Sequence, residues 1–329
     1  MSAPTVFLTS TERASFVLDD AEILRRHFTV DLHIGHGAGA IGRIVRGAMR
    51  ADVSISWLGS TYSAAMVAAA RLARRRSIII LGGVDVANEP ELGYGLWRTP
   101  WKGRLLRWAL AHASAVYVVA DRLRDDLRAR TGWSCDAVMT MPTGYDPAAW
   151  IPRYPKRSHV LSVAGCDSVE RFRIKGVDRL FEAARLLPEL SFTVIGVGAD
   201  LPASLGIPVP ANITLLPALG RAELAGHYSD ALVYCLSSRR EGLPNALCEA
   251  MLSGCIPVAT DVGDVRAALD GSGYLVATGS AEELAEALRM AAGSAEIDGL
   301  RSRRSIATRF SRNDREKKLI AAVRMLLYA

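Results

Sequence analysis

The sequence predicts an α/β protein built as two Rossmann-like halves in tandem. Three observations predict it. The chain has 329 residues, and at about 150 residues per domain that length holds two domains. Short β-branched runs alternate with helical stretches, the pattern of βαβ units and a parallel sheet. A proline- and glycine-bearing stretch at 142–156 interrupts the alternation, which then starts again.

In the first half, Thr5–Thr9, Val30–Ile34, Val53–Trp57, Ser77–Leu81, Ala115–Val119 and Ala137–Met141 read as strands. Each is short, apolar and bounded by turn-forming residues. Asp19–Arg26, Ser60–Arg75, Lys102–Ala111 and Asp121–Arg130 read as helices. Ser60 and Asp121 stand where an N-cap belongs. The second half repeats the scheme, with strands at His159–Ala164, Ser191–Ile195, Asn212–Leu216, Leu232–Cys235, Ile256–Ala259 and Gly273–Val276. Its helices are Val177–Leu187, Arg221–Tyr228, Asn245–Ser253, Val265–Leu269 and Ala281–Ala292, and a last helix runs over about 312–327. The expected domains are 1–150 and 151–310, with 311–329 as the closing helix. In such sheets a ligand sits beyond the carboxyl ends of the strands.

Composition narrows the function. Half of the residues are apolar, which excludes general disorder. No apolar run approaches the length of a membrane span; Ala64–Ala70 and Ser77–Gly83 are short and bounded by arginines. The N-terminus has no basic region or cleavage site of a signal peptide. The five cysteines, Cys135, Cys166, Cys235, Cys248 and Cys255, are an odd number without CxxC spacing, so a reducing cytoplasm fits best. Burial as small apolar groups is their expected role. The net charge of +6 is modest, and neither a recognition motif nor the charge balance suggests nucleic acid. Basic residues nevertheless interleave with apolar ones at helical spacing: Arg43, Arg46 and Arg50 with Ile41 and Met49, and Lys102, Arg104 and Arg107 with Trp101 and Trp108. Two readings stay open, a solvated helix face or a peripheral contact with the inner face of a membrane.

The informative segment is Leu236–Val262, LSSRREGLPNALCEAMLSGCIPVATDV. It reads as strand, loop, helix and strand. Glu241, Gly242 and Leu243 form a turn, and Pro244 falls at the first helical position, where a missing N–H costs nothing. Amides of Asn245 and its neighbours then point out of a helix N-terminus, which suits phosphate. Glu241 and Glu249 are carboxylates placed to bind sugar hydroxyls beside it.

Glu241-x7-Glu249 in this context resembles the signature of the retaining, nucleotide-sugar-dependent glycosyltransferases of family four, the group 1 glycosyl transferases. Other segments agree in order: MPTGYDPAAW (141–150), with Thr143 in place of Asn; IKGVDRLFEAA (174–184); FTVIGVG (192–198); and FSRNDREKK (310–318), which is similar to a last helix that crosses back to the first domain. The resemblance implies the GT-B fold, two Rossmann-like domains with parallel sheets facing a central cleft. It implies transfer of a sugar from a UDP- or GDP-sugar to an acceptor hydroxyl with retained configuration and no cofactor. The acceptor is open: a glycan, a lipid-linked glycan or a small molecule. With no Asp-x-Asp present, no metal is expected.

Residue by residue, the resemblance places Glu241 on the transferred sugar and Glu249 on the ribose. Gly242, Leu243, Pro244 and Asn245 line the sugar–diphosphate pocket, and Gly198 ends the donor-side strand turn. Lys175 neutralises the diphosphate as it leaves. Two departures matter. An Arg usual after the glycine of the second half's first strand is Cys166 here, following Gly165; Arg171, ahead of Arg173, is the expected substitute. A His-Gly-x-Asp element is Gly82-Gly83-Val84-Asp85, without the histidine. Asp85 with Gly83 either faces the acceptor or caps a turn. The family's glycine-rich first loop is replaced by 9–15, where Arg13 is the acceptor-side candidate. Glu89, Glu91, Tyr94, Trp97 and Trp101 suit a sugar acceptor or a packed loop alike. His33 and His36 flank Gly35 without a third metal ligand. Other readings are an epimerase or hydrolase acting on the donor alone, and an inactive nucleotide-sugar-binding subunit. A dinucleotide oxidoreductase is disfavoured, because no GxGxxG follows the first strand.

Overall fold

The computed structural model describes residues 3–277 and 279–328. The chain divides into two compact units, one of residues 1–144 with 312–329, the other of 145–311.

Unit 1 is a parallel sheet of β1 (Thr5–Ser10), β2 (Thr29–Ile34), β3 (Val53–Trp57), β4 (Arg76–Leu81), β5 (Ala115–Val118) and β6 (Met139–Thr140), in the order β2-β1-β3-β4-β5-β6. Its helices are α1 (Ser15–Arg25), α2 (Ala38–Arg50), α3 (Thr61–Leu72), α4 (Pro100–His112), α5 (Arg122–Thr131) and α14 (Arg312–Leu327). β3 is buried along its whole length and β4 from Ser77 onward, as expected of strands covered on both faces. Each fully buried Ile or Phe contributes about 1.5–3 kcal/mol. Val6, Phe7, Ile55, Ile78 and Ile80 supply that core.

Ser60 caps α3 as expected, in a reciprocal capping box with Ser63. Asp121 does not cap α5. It is itself in helical conformation, and its carboxylate accepts from Arg124 and Thr140 instead. The expected strand 137–141 shrinks to Met139–Thr140, since the chain before it turns with Cys135 at φ 58°. α2, marked in the sequence by Arg43, Arg46 and Arg50 at helical spacing, is a full helix of 13 residues.

The last helix completes this unit. Arg315 is 3% exposed. Its Nε donates to Asp20 Oδ1 at 3.0 Å, and Nη1 donates to the Met141 carbonyl at 2.7 Å. Trp57 Nε1 donates to the same carboxylate at 2.8 Å, and the guanidinium lies over the Trp57 ring. A buried pair of this kind is tolerable because its remaining hydrogen-bonding groups find partners.

Unit 2 has the sheet order β12-β11-β10-β7-β8-β9, again all parallel. Its strands are β7 (Arg157–Cys166), β8 (Ser191–Val197), β9 (Ile213–Leu216), β10 (Ala231–Leu236), β11 (Ile256–Thr260) and β12 (Tyr274–Val276). Its helices are α6 (Val169–Ile174), α7 (Val177–Arg185), α8 (Asp200–Ser204), α9 (Arg221–Asp230), α10 (Asn245–Leu252), α11 (Val265–Leu269), α12 (Ala281–Ala292) and α13 (Glu296–Arg309). α13 is absent from the sequence reading because its apolar periodicity is weak. It is seated by backbone: a Cβ on Gly299 would lie 2.0 Å from the Gly254 carbonyl oxygen.

The stretch at 145–156 is not a loose linker. Trp150 is fully buried, edge-on to Tyr228 at 5.6 Å and beneath Arg221. Arg303 donates to the carbonyls of Pro147 and Trp150. Lys156 Nζ donates to the carbonyls of Tyr228, Ser229, Ala231 and Ser253. These are the carbonyl-rich C-terminal ends of α9 and α10, where a cation belongs. The chain enters unit 2 at Tyr145, ahead of the expected boundary at 150.

Candidate active site

In unit 2 the strand order runs one way from β7 to β8 and β9, and the other way to β10. The loops that leave β7 and β10 therefore diverge at their carboxyl ends, and such a switch point is where open α/β sheets bind ligands. The β7 side supplies Cys166, Arg171 and Lys175. The β10 side supplies Ser237–Asn245.

The two loops are locked together by backbone contacts. Lys175 is followed by Gly176 at φ 65°, and a Cβ there would lie 1.9 Å from the Ser237 carbonyl oxygen. Only glycine permits both. Ser237 Oγ donates to the Lys175 carbonyl at 3.0 Å, and Arg239 N donates to that of Ile174 at 2.7 Å. The Arg239 guanidinium forks onto Asp178 with two bonds of 2.7 Å and also reaches the Arg173 carbonyl. Gly263, from the loop after β11, closes the other side. A Cβ there would meet the Gly242 carbonyl oxygen at 2.3 Å.

This frame brings Lys175 Nζ to 2.8 Å from Glu241 Oε1. Ser238 Oγ donates to the same oxygen at 2.7 Å. The Glu241 side chain is 11% exposed and that of Lys175 26%, so the pair is sheltered yet reachable. Behind Glu241, Gly242, Leu243 and Pro244 are buried. Pro244 is the N-cap residue rather than the first helical one, at ψ 108°, and α10 begins at Asn245. No side chain caps this helix start, so the dipole's positive end lies beside the Lys175–Glu241 pair in sequence and fold. Asn245 Oδ1 accepts from Tyr145 OH at 2.6 Å.

Glu249 lies in the second turn of α10 and is 9% exposed. Burial first, then the Glu249 charge, holds the Tyr228 phenol protonated well above its ordinary range. Tyr234 is raised by burial and then by Glu241. Tyr228 and Tyr234 thus lie in the electrostatic reach of the two motif carboxylates, which the sequence does not reveal because they belong to α9 and β10.

Cys166 stands at the end of β7, and burial pushes its thiol up to about 12, with Lys175 and Arg171 pulling the other way. Arg171 and Lys175 are the cations whose charge reaches this position. Arg171 is partly exposed and pairs with Asp167 at 3.5 Å; Arg173 is exposed. Gly198 is exposed after β8, with open space where a side chain would stand.

The first-unit candidates are placed differently. Asp85 is fully buried. Its carboxylate accepts from the backbone N–H of Gly59 at 2.8 Å, Gly82 at 2.9 Å and Gly83 at 2.7 Å. Burial raises its pKa, opposed by those amides. This is the turn-capping geometry, with the carboxylate oxygens taken up by backbone amides. Arg13 is exposed between β1 and α1. Trp97 Nε1 donates to the Asp85 carbonyl at 2.8 Å, and Glu89 pairs with Tyr94 through backbone, so the 88–101 tract is a folded loop with Trp101 left 58% exposed. Among the described residues, no group of three His, Cys, Asp or Glu side chains is placed to hold a metal ion.

The fold of the chain is GT-B, two units each with a six-stranded parallel sheet and flanking helices. Residues 159–293 match the family model of glycosyl transferases group 1, a span that holds Arg171, Lys175, Gly198, Glu241 and Glu249. Among solved structures, HepE (Alr3699) of Anabaena, crystallised with UDP and glucose, is similar with a TM-score of 0.78 at 14% identity, over 98% of this chain and 100% of that one. Sucrose-phosphate synthase of Thermosynechococcus elongatus gives 0.77 at 14% identity, over 99% of each chain. The α,α-trehalose 6-phosphate synthase of Burkholderia multivorans gives 0.73 at 13%, over 100% of this chain and 98% of that one. No curated protein matches the sequence.

Proposed function

We propose that the chain is a glycosyltransferase that moves a sugar from a nucleoside-diphosphate sugar, UDP- or GDP-linked, to an acceptor hydroxyl with retention of configuration and without a metal. One observation carries this reading: Lys175 Nζ and Ser238 Oγ converge on Glu241 Oε1 at the uncapped start of α10. Lys175, the α10 amides and Arg171 form a cationic seat for the diphosphate. When the donor enters, Lys175 turns from Glu241 to a phosphate oxygen and stabilises the charge that builds on the leaving group. Glu241, kept oriented by Ser238, meets the sugar and the positive charge that develops at its ring. Glu249 takes the ribose diol. The family-model match over this segment and the UDP and UDP-glucose complexes of HepE support the donor class.

The test is a thermal-shift panel of UDP, GDP, ADP and dTDP, each with and without EDTA, on the wild type and Glu249→Gln. A ligand at about 100 times its Kd adds about 2.7 kcal/mol, a readable shift. One nucleotide is expected to stabilise the protein, EDTA to leave the shift intact, and Glu249→Gln to abolish it. No shift for any nucleotide sinks the reading; a shift lost in EDTA sinks its metal-free form.

A further inference from the structure

Three adjacent helices of unit 1 carry no acidic side chain. The crossovers β2→β3, β3→β4, β4→β5 and β5→β6 run the same way across the sheet, so right-handedness puts α2, α3, α4 and α5 on one face. α2 packs on α3, and α3 on α4. Not one Asp or Glu occurs in α2, α3, α4 or the turn 73–76 after α3, while α5, beyond α4 on the same face, carries Asp125 and Asp126. The opposite face is balanced: α1 carries Asp19, Asp20 and Glu22 and meets α14, where Glu22 pairs with Arg312 and Glu316 with Arg26.

On α3 and α4, apolar side chains stand out between the cations. Leu72 is 79% exposed, Trp101 58%, and Leu105 and Trp108 37% each. Trp101, Leu105 and Trp108 follow one stripe of α4, with Arg104 and Arg107 beside them. An open groove of about 730 Å³ between α3 and α4 is lined by Arg71, Leu72, Arg74, Arg76, Trp108 and His112. Arg75, at the same rim, is paired with Asp52.

We propose that this face docks on a bilayer surface carrying anionic phospholipids, with Leu72, Trp101 and Trp108 in the interface and the arginines of the groove on the phosphates. Tryptophan beside apolar and basic groups suits the membrane–water boundary, where ring and N–H meet different surroundings. Basic residues add attraction to an anionic leaflet that falls off within a Debye length. The absence of acidic side chains from α2, α3 and α4 is the charge complement of such a leaflet and not of a zwitterionic one.

The experiment is vesicle co-sedimentation of the full chain, using vesicles of phosphatidylcholine alone and of equal parts phosphatidylcholine and phosphatidylglycerol, with a duplex RNA as competing polyanion. Retention is expected only on the anionic vesicles, and raising salt from about 0.1 M to about 1 M, which shortens the Debye length from about 10 Å to about 3 Å, should release the protein. The triple variant Arg71→Glu, Arg74→Glu, Arg104→Glu is expected to bind at least about tenfold more weakly. Leu72→Ser with Trp101→Ser should also lose retention, and Lys317→Glu on α14 should not. All altered side chains are exposed, and unchanged melting verifies their folding. No retention, equal retention on both vesicle types, or equal loss in Lys317→Glu overturns the proposal. Release from vesicles by RNA at matched charge, with RNA retained on the same arginines, reassigns the face to nucleic acid. Because no turnover is read, these outcomes are independent of the transferase reading.

Discussion

Lys175 and Glu241 belong to loops 66 positions apart in sequence, and the ammonium of one lies 2.8 Å from a carboxylate oxygen of the other. The pairing satisfies both charges in a partly buried place, and it leaves each residue hydrogen-bonding capacity beyond this contact. The roles proposed for the two residues can be separated by substitution.

Glu241→Gln keeps the shape and removes the charge. A hydrogen bond to a charged group is worth about 1.5–3 kcal/mol, so kcat should fall by about ten- to a hundredfold with the donor Kd little changed. Steady-state kinetics set beside calorimetric donor binding give the comparison. Equal losses in both would place Glu241 in ground-state binding alone. Ser238→Ala should show a milder form of the same split.

Lys175→Met should act on the leaving diphosphate. It is expected to weaken nucleoside-diphosphate binding and turnover together, and to do so less when Glu241→Gln is already present, because the two groups are in contact. A double-mutant cycle on nucleotide affinity reads this coupling, and strict additivity would contradict it.

Gly176→Ala tests the frame instead of the chemistry. The residue sits at φ 65° with the Ser237 carbonyl 1.9 Å from the position of a Cβ. The β7 and β10 loops must part to admit a methyl group. Nucleotide-dependent stabilisation should disappear, while the melting of the unliganded variant drops by only the few kcal/mol typical of local strain. Retained nucleotide binding would show that the loop contact does not organise the site.

Cys235, Cys248 and Cys255 are buried, and burial pushes each thiol up to about 12, as it does Cys166. Their folded pKa exceeds the unfolded value of about 9, so the folded state holds these protons more tightly. Their contribution to stability is complete below about pH 9 and is lost as pH rises towards 12. Chemical denaturation at a series of alkaline pH values should show that decline, and native protein at neutral pH should react with a thiol reagent far more slowly than unfolded protein.

Arg315→Met should be costly far from any substrate. It strands Asp20 in the core of unit 1, and breaking a buried pair from one side costs about 3–5 kcal/mol. Asp20→Asn with Arg315→Met should recover part of that loss. Denaturant unfolding measures both, and an unperturbed single variant would contradict the network.

The twelve strands were legible because parallel strands covered on both faces are continuous apolar runs, as in Ser77–Leu81 and Ile256–Ala259. Glu241 and Glu249 were legible as a candidate pair because they sit in one contiguous segment whose spacing carries meaning. Other features were hidden because their partners are distant in sequence. Asp85 turns inward to three amides, two from its own loop and one from Gly59, and nothing in Gly-Gly-Val-Asp distinguishes that from a ligand-facing carboxylate. Asp121 lost its cap role to Arg124 and Thr140. α13 owes its place to a glycine contact with Gly254, which hydrophobic periodicity does not register.

The route of the chain has a consequence for its synthesis. The first stretch of unit 1 precedes unit 2 in the chain, yet the helix that carries Arg315 follows it. As the chain emerges, Asp20 and Trp57 wait without their cation while all of unit 2 is translated. The first unit to start folding therefore finishes only after the second has been made, when its latch can close. A chain cut short before Arg312 would leave a folded second unit attached to a first one open to proteolysis.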